Sequence, residues 1–353
     1  MRTKDDLRMY QALPLDLKIG LTQRRIRDWV NYYGSNGVYV SFSGGKDSTV
    51  LLHMVRQLYP DVEAVFVNTG LEYPEMQKFV KTFDNVTILR PNMRFDAVIK
   101  TYGYPIIGKE IAQAIYEVRK QARKNKIDVQ QTKRYRRDFC PESEKNKKYP
   151  AFSKEKHKLL LYTTFEISHK CCNVMKKSPA KEYEKKTGRK PILATMASES
   201  RLRETKWLQK GCNAFDDERP RSAPMSFWTE QDVLQYIKQY NIPIASVYGD
   251  VVYATEPEQM RVEEFGVSGC GTEPLCTTGC DRTGCVFCAF GAHLDRESRF
   301  ERLKQTHPRQ YEYCIGGGEY NENGVWQPNK QGLGMGHVFD ELNKIYGDGF
   351  IKY

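Results

Sequence analysis

The stretch VYVSFSGGKDSTVLLHMV, residues 38–55, joins a short β-type run to a glycine pair and then to an apolar helix-type run. From Ser48 onward its apolar residues recur with helical period. Inward-turned glycine N–H groups and the positive end of a helix together stabilise an anion. The glycines are adjacent, unlike those of the G-x-x-x-x-G-K-[ST] loop. The stretch predicts a phosphate-binding turn of another type, or else a tight βα turn with Asp47 or Ser48 as helix cap.

Further β-rich runs alternate with helical patterns along the chain. They occupy residues 61–68, 86–89 and 191–195. Thr229, followed three residues later by Asp232, predicts a helix start with a variant of the capping box. Alternating strands and helices predict an α/β fold with a doubly wound, mainly parallel sheet, whose ligands bind at the carboxyl ends of the strands.

At 353 residues the chain is long enough for one large domain or one and a half. We expect a nucleotide-binding domain over residues 1–255. Beyond it, Gly, Cys and Thr in irregular order indicate a C-terminal cysteine-rich module over residues 256–353, with little core of its own. The sequence contains neither an apolar run of about 18 residues nor a signal-type start. We therefore expect a cytoplasmic protein without a membrane span.

The positive charge is concentrated in one segment, Arg119–Lys158. This segment holds 15 basic and 5 acidic residues and so accounts for almost the whole net charge of +11. A run of this kind is a basic insertion or solvated arm, or else a contact for nucleic acid. In the second case Tyr135 and Phe139 are candidates for stacking against bases.

The ten cysteines are unevenly distributed. Five lie between Cys270 and Cys288, and two are adjacent at Cys171 and Cys172. Because a cytosolic compartment keeps thiols reduced, this distribution indicates metal ligation rather than a disulfide framework.

The string SGGKDS, residues 43–48, resembles the PP-loop of the ATP pyrophosphatase superfamily, also called adenine nucleotide α-hydrolase-like or HUP. In that superfamily the loop holds the pyrophosphate of ATP, and the α–β bond is broken. The resemblance implies that six residues cradle pyrophosphate here: Ser43, Gly44, Gly45, Lys46, Asp47 and Ser48.

Two further segments resemble the branch that contains phosphoadenosine phosphosulfate (PAPS) reductases. NTGLEYPE, residues 68–75, resembles D-T-G-x-x-[FY]-P-E, and ATMASESRLR, residues 194–203, resembles G-x-R-x-x-E-S-x-x-R. Asn68 replaces the usual aspartate, and Met196 replaces the first arginine. The resemblance implies nucleotide contacts for Asn68, Thr69, Gly70, Glu72, Glu199 and Ser200. It implies catalytic roles for Lys46, Asp47, Arg201 and Arg203.

Lys170-Cys171-Cys172, followed by Lys176 and Pro179, resembles the K-C-C-x-x-x-K-x-x-P string of sulfonucleotide reductases that bind an iron–sulfur cluster. Those proteins pair it with a distant C-x-x-C, which residues 285–288 supply. The resemblance implies a 4Fe–4S cluster on Cys171, Cys172, Cys285 and Cys288.

Other ligand sets stay open. Cys276 or Cys280 is near enough in sequence to substitute for one member. The chain also resembles the related DNA phosphorothioation proteins, in which a single early cysteine joins C-x8-C-x2-C, a spacing that Cys276, Cys285 and Cys288 meet. Zinc held by the 270–288 cluster is the alternative metal.

Sulfonucleotide reductases also share a C-terminal E-C-G-[IL]-H tail, whose cysteine attacks the sulfate sulfur of the nucleotide. This chain ends GHVFDELNKIYGDGFIKY, without that string. The only late cysteine is Cys314, in YEYCIGGGEY. The usual thiol route of PAPS reduction therefore loses its nucleophile, unless Cys314 replaces it.

Three functions follow as hypotheses. The first is an enzyme that uses ATP with Mg²⁺, cleaves its α–β bond to adenylate an acceptor, and couples this to sulfur transfer. Its acceptor would be nucleic acid, and a partner such as a cysteine desulfurase would donate the sulfur. The second is a sulfonucleotide reductase that releases sulfite from PAPS or adenosine phosphosulfate (APS). The third is a nucleotide- or nucleic-acid-binding module without turnover. The sequence leaves the oligomeric state open.

Overall fold

The computed structural model describes residues 2–254 and 274–353. The chain forms two compact units that interleave along the sequence. The first comprises Met1–Asn68, Glu72–Arg90 and Pro179–Thr283, and the second comprises Thr69–Leu71, Pro91–Ser178 and Gly284–Tyr353. The boundary predicted between residues 255 and 256 lies outside the described residues and stays a prediction. The two units divide the chain at other positions, because residues 91–178 pack with the C-terminal segment.

The strands are short. They are β1 (Val38–Ser41), β2 (Ala64–Val67), β3 (Val86–Leu89), β4 (Ile106–Ile107), β5 (Lys190–Ile192), β6 (Asn213–Ala214), β7 (Arg221–Ser222), β8 (Val251–Tyr253), β9 (Leu275–Thr277), β10 (Ala289–Phe290), β11 (Glu319–Tyr320) and β12 (Trp326–Gln327).

Helices precede, separate and follow these strands along the chain. They are α1 (Lys4–Gln11), α2 (Leu15–Tyr33), α3 (Lys46–Leu58), α4 (Pro74–Val80), α5 (Phe95–Tyr102), α6 (Lys109–Asn125), α7 (Lys133–Asp138), α8 (Glu144–Lys148), α9 (Ser178–Thr187), α10 (Arg201–Lys210), α11 (Glu230–Gln239), α12 (Arg299–Thr306), α13 (Pro308–Ile315) and α14 (Met335–Tyr346). No helix among the described residues is long and apolar enough to cross a bilayer.

The first unit is built on a six-stranded sheet in the order β3-β2-β1-β5-β7-β6. Strand β1 lies between β2 and β5, and Val40 pairs with Ala64 on one side and Ile192 on the other, both in parallel register. Only β6 runs antiparallel, against β7. The α/β fold with a mainly parallel sheet is confirmed.

The core of this unit is formed by apolar residues of the helices and strands that the sequence predicts. Trp29 of α2 and Val50 and Leu51 of α3 are fully buried, as is Val40 of β1. Burial of such side chains contributes roughly 1.5–3 kcal/mol each. It fixes α3 against the sheet, and so places the start of α3 at the carboxyl end of β1.

Helix α11 begins where its sequence predicts. The hydroxyl of Thr229 accepts a hydrogen bond from the Asp232 N–H, and the Asp232 carboxylate accepts one from the Thr229 N–H at 2.7 Å. The reciprocal pair satisfies two N–H groups at the helix start.

The second unit contains a small parallel pair, β4 with β10, and helices from both halves of the chain. The C-terminal segment has a well-formed core: Phe300, Val338 and Leu342 are buried, and the rings of Phe300 and Phe339 lie 4.8 Å apart. The expectation of little core in this segment is therefore wrong, since the amphipathic helices α12–α14 bury their own apolar faces.

The basic segment 119–158 is a folded part of the second unit. Its first residue, Arg119, is buried and donates to the carbonyls of Leu160 and Phe165 at 2.8 and 2.6 Å. Lys154, 2% exposed, pairs with Glu110 at 2.5 Å. The interpretation as a solvated arm is wrong, because several of these cations hold the fold together.

Candidate functional site

The SGGKDS turn lies between β1 and α3, as its sequence predicts. Gly44 has φ +73°, a left-handed conformation that favours glycine. A Cβ there would lie 2.8 Å from Cγ2 of Val80. Gly45 is the N-cap of α3, which begins at Lys46. The turn therefore needs glycine at position 44, and it presents a helix N-terminus at the carboxyl edge of the sheet.

The two serines of the loop brace it internally. Ser48 Oγ accepts a hydrogen bond from the Ser43 N–H at 3.1 Å and donates to the Gly45 carbonyl at 2.9 Å. The Ser43 and Ser48 hydroxyls are 3.0 Å apart. Ser43 Oγ also accepts from the Gly45 N–H at 3.3 Å. These hydroxyls fix the loop shape; Ser43 is exposed, whereas Ser48 is buried.

Lys46 is directed to a cluster of residues that sequence reasoning missed. Its Nζ lies 2.8 Å from Oε1 of Glu230 and 2.5 Å from the carbonyl oxygen of Asp281, and the side chain is 4% exposed. Its backbone N–H donates to Oη of Tyr248 at 3.3 Å. The Tyr248 and Thr283 hydroxyls lie 2.6 Å apart. No local pattern identifies these partners, because they come from segments about 200 residues away.

Asp47 is an acidic group in a cationic surrounding. Its Oδ1 is buried without a hydrogen-bond partner in the described chain. Burial and the charge of Glu230 raise the pKa of this carboxyl, while the charges of Lys46, Arg282 and Arg203 act in the opposite direction. An unsatisfied carboxylate oxygen among cations is suited to a further donor or to Mg²⁺ at a phosphate site.

The second arginine of the ATMASESRLR segment, Arg203, is the one placed near this group. Burial and the nearby Arg282 lower its pKa, and the charge of Asp47 opposes them. Arg203 also forms an ion pair with Glu199. Arg201 is exposed on the first turn of α10, and its side chain makes no ion pair in the described part of the chain.

Glu199 and Ser200 have local structural roles. The Glu199 carboxylate accepts from the Met196 N–H at 2.9 Å, and Ser200 is the N-cap of α10. Their predicted nucleotide contacts stay predictions.

The NTGLEYPE segment begins directly after β2. Asn68 donates its N–H to the Leu89 carbonyl at 2.8 Å, so it lies at the carboxyl end of that strand. Thr69 Oγ1 accepts from the Leu71 N–H at 3.2 Å, and Gly70 has φ +73°. Asn68 and Glu72 belong to the first unit, whereas Thr69 and Gly70 belong to the second.

The four preferred cysteines all lie in the second unit. The thiols of Cys171 and Cys172 are 3.9 Å apart, and Cys171 interacts electrostatically with Cys285 and Cys288. Cys276 and Cys280 lie in the first unit, and Cys270 lies outside the described residues. The four cysteines thus share one unit, and their role as a ligand set stays a prediction.

The thiols of this group differ in acidity. A hydrogen bond from Cys171 lowers the pKa of Cys172 to about 6, against the effect of burial and with the help of Lys109 and Lys176. The same hydrogen bond and burial raise the pKa of Cys171. The shift favours the thiolate form of Cys172, which is the form that ligates metals.

The chemical type of these ligands suits a thiolate-bound metal. Four soft sulfur ligands lie within one unit, and nearby lysines offset their charge. As placed, no three His, Cys, Asp or Glu side chains of residues 2–254 and 274–353 come close enough together to hold a metal ion. Iron–sulfur and zinc binding therefore stay predictions.

Cys314 lies in the interior of the second unit. It is 0% exposed, and its thiol lies 3.5 Å from the sulfur of Met335. Burial raises its pKa well above the ordinary value. A neutral, inaccessible thiol is a poor nucleophile, so the structure does not support Cys314 as the nucleophile of a PAPS reduction.

Sheet order, loop geometry and the segment after β2 together define an α/β protein with a PP-loop. Residues 37–128 and 107–290 match the phosphoadenosine phosphosulfate reductase domain. The chain belongs to this family, within the PAPS reductase-like branch of the PP-loop superfamily.

Individual relatives are distant. Two uncharacterized proteins of Methanocaldococcus jannaschii are 32% identical over 72 residues (19% of this chain, 18% of that protein) and 40% identical over 73 residues (19% and 15%). The chain thus covers less than a fifth of either relative. A crystal structure of PAPS reductase from Candida auris, a phosphate complex, aligns with a TM-score of 0.36 and 13% identity over 64% of this chain and 82% of that chain.

Proposed function

We propose that the chain is an ATP pyrophosphatase-type enzyme of nucleotide–sulfur chemistry, which cleaves ATP between the α and β phosphates to activate an acceptor for sulfur transfer. The observation that carries the proposal is the surrounding of the PP-loop. Helix α3 begins at Lys46 of this turn, and the charges of Lys46, Arg282 and Arg203 act on Asp47 of the same turn.

The charges of this cluster suit a polyphosphate. Pyrophosphate bound at the loop would accept hydrogen bonds from backbone N–H groups and replace Glu230 and the Asp281 carbonyl as partners of Lys46. Asp47 would supply an oxygen ligand for Mg²⁺, which neutralises phosphate charge when bound. Positioning and electrostatic stabilisation of the leaving pyrophosphate provide most of the catalysis in such a reaction.

The bond changes balance without an external oxidant. An acceptor oxygen attacks the α-phosphorus, the bond to the bridging oxygen breaks, and pyrophosphate leaves with that electron pair. A hydrosulfide equivalent from a donor protein, such as a cysteine desulfurase with its reductant, then displaces AMP. The acceptor oxygen leaves with AMP, and sulfur takes its place.

The cysteine group belongs to the same proposal. Cys171, Cys172, Cys285 and Cys288 would hold a 4Fe–4S cluster, which supplies a redox-active or sulfur-binding centre when bound. Zinc on a thiolate set is the alternative. The presence of all four cysteines in one unit supports metal ligation of either kind.

Nucleic acid is the proposed acceptor. The chain carries a net charge of +11, and a polyanion is the natural partner of that surface. A sulfonucleotide reductase is the second candidate, because the matched domain is named for PAPS reduction. The burial of Cys314 counts against it.

A product assay distinguishes the candidates. The protein is incubated with ATP or with PAPS, each with and without nucleic acid, and pyrophosphate, AMP and sulfite are measured. Pyrophosphate released from ATP supports the proposal, and sulfite released from PAPS in the presence of thioredoxin supports the reductase. Nucleotide binding without any product over hours supports a binding module without turnover.

A further inference from the structure

The cations of the basic segment 119–158 fall into two groups. One group is built into the fold: Arg134, Arg137 and Lys145 all contact the carboxylate of Asp138, whose side chain is fully buried. Burial acts to raise the pKa of Asp138, but hydrogen bonds from Arg137 and Lys145 outweigh it and hold the pKa far below its ordinary value. These cations are held in the fold by this carboxylate.

The other group faces solvent. Within the described chain its members are exposed and make no ion pair: Lys120, Lys124, Lys126, Lys133, Arg136, Lys148 and Lys156. Sites of this kind bind polyanions through release of counterions. Exposed lysines alone define no particular partner, so the selective feature must come from other side chains.

That feature is a set of exposed aromatic rings on the same segment. Tyr149 is 50% exposed and Phe152 57% exposed, and their ring centroids lie 6.4 Å apart at 79°. Nζ of Lys148 lies 5.5 Å from the centroid of the Tyr149 ring. Tyr162, 54% exposed, lies a few positions further along the chain. Exposed aromatic rings beside a lysine are side chains of the kind on which bases stack.

The rings predicted from sequence are different ones. Phe139 is 0% exposed and stacks on Tyr135, with 5.8 Å between centroids and 12° between planes. Phe139 is therefore a core residue and its prediction as a base-stacking side chain is wrong. Tyr149 and Phe152 are instead the candidates for stacking against bases.

We propose that the surface formed by Lys148, Tyr149 and Phe152, the 148–152 surface, binds single-stranded nucleic acid, with bases stacked on the two rings and phosphates on the surrounding lysines. Every base has a π-face, so rings and cations together bind a strand with little sequence preference. A duplex offers only its phosphates to the lysines, because its bases are already stacked. The inference specifies the acceptor of the proposed function, but binding at this surface requires no ATP.

The test is fluorescence anisotropy of labelled 20-nucleotide single strands, DNA and RNA, with full-length protein and no nucleotide. The double variant Tyr149→Ala/Phe152→Ala is expected to bind about tenfold more weakly or worse, since a base stacked on an aromatic ring contributes on the order of 1–3 kcal/mol. Tyr149→Phe/Phe152→Tyr keeps both rings and is expected to stay within about twofold of wild type. Both positions are half exposed, and circular dichroism verifies that the variants are folded.

Tyr253→Ala is the matched control. Tyr253 is 47% exposed and lies under a lysine, with Nζ of Lys238 3.5 Å from the ring centroid, but it belongs to the first unit. Its loss is expected to leave strand binding unchanged. Lys148→Gln should reduce the slope of log affinity against log salt by about 0.7, the value for one phosphate contact on a single strand.

Each remaining outcome decides the question. Equal binding of single strand and duplex, or a double alanine variant within twofold of wild type, would overturn the inference. So would binding to phosphatidylserine vesicles without binding to the oligonucleotides. Lys46→Ala separates this inference from the proposed function. Strand binding by Lys46→Ala that equals that of wild type supports the 148–152 surface independently of the loop. If wild type also releases no pyrophosphate from ATP, the proposed function is refuted, but the inference about this surface is not.

Discussion

The ammonium of Lys46 lies 2.8 Å from the carboxylate of Glu230, which begins α11. The lysine is 4% exposed, whereas the Glu230 side chain is 42% exposed. The PP-loop cation is thus neutralised by a carboxylate, which phosphate would have to displace under the proposed function. The contact also places the start of α11 beside the nucleotide loop, within the first unit.

We therefore expect Glu230→Gln to bind ATP more tightly than wild type, by about fivefold, because removing a competing partner of this kind is worth on the order of 1 kcal/mol. Isothermal titration without Mg²⁺ measures the effect of phosphate alone. Glu204→Gln is the control, since Glu204 pairs with Lys4 at 3.2 Å, a contact that does not involve the loop. Unchanged or weaker ATP binding in Glu230→Gln would contradict this account of the loop.

Gly44→Ala is expected to destabilise the protein by about 1–2 kcal/mol and to abolish measurable ATP binding. The left-handed backbone penalises a Cβ, and Val80 occupies its position. Urea unfolding measures the change in stability, and isothermal titration with ATP measures the change in binding. Gly20→Ala in the middle of α2 is the control: nothing lies within 4 Å of its added Cβ, so stability should rise by about 0.5–1 kcal/mol. Full ATP binding by Gly44→Ala would refute the assigned geometry.

His157 makes stability dependent on pH. Burial, followed by the charges of Lys156 and His293, lowers its pKa from 6.5 to about 4. Between these values the unfolded chain takes up a proton that the folded chain does not, so stability falls as pH decreases through this window. The side chain is 6% exposed, and we expect a loss of about 2 kcal/mol from pH 7 to pH 5.

His157→Gln isolates this contribution, because its free energy of unfolding should change less between pH 7 and pH 5 than that of wild type. The difference between the two proteins removes the contributions of all other titrating groups. Identical pH profiles would show that His157 does not carry the effect.

The cysteine assignment predicts a brown protein after anaerobic purification, with iron and sulfide in amounts that fit one cluster. Cys171→Ser and Cys285→Ser should lose iron, because each removes one thiolate ligand. Cys276→Ser and Cys280→Ser serve as matched controls, since both residues lie in the first unit. A colourless protein that contains zinc, or iron loss in the control variants alone, would refute the assignment.

Local patterns predicted much of the fold. Strands β1, β2, β3 and β5 of the sheet and the Thr229–Asp232 cap followed from local sequence patterns and capping chemistry, which depend on neighbouring residues, whereas β6 and β7 were not predicted. The PP-loop was recognisable for the same reason.

The surroundings of the loop were not predictable in this way. Glu230, Tyr248 and Arg282 reach it through tertiary folding, and no spacing relates them to Lys46. The charge of segment 119–158 also did not reveal that Arg119 binds carbonyl groups in the interior, nor that Phe139 is buried. Whether a side chain is buried depends on packing partners elsewhere in the chain, and the composition of a segment does not predict those partners.

The position of the broken bond in ATP tests the central claim most directly. Products formed from ATP labelled at the α-phosphate are separated after incubation with acceptor nucleic acid and a sulfur donor. The account predicts AMP or adenylated acceptor together with pyrophosphate, and a loss of about 100-fold or more in Lys46→Ala, as expected when a transition-state cation is removed. ADP and inorganic phosphate as the products, or no cleavage under any condition, would contradict it.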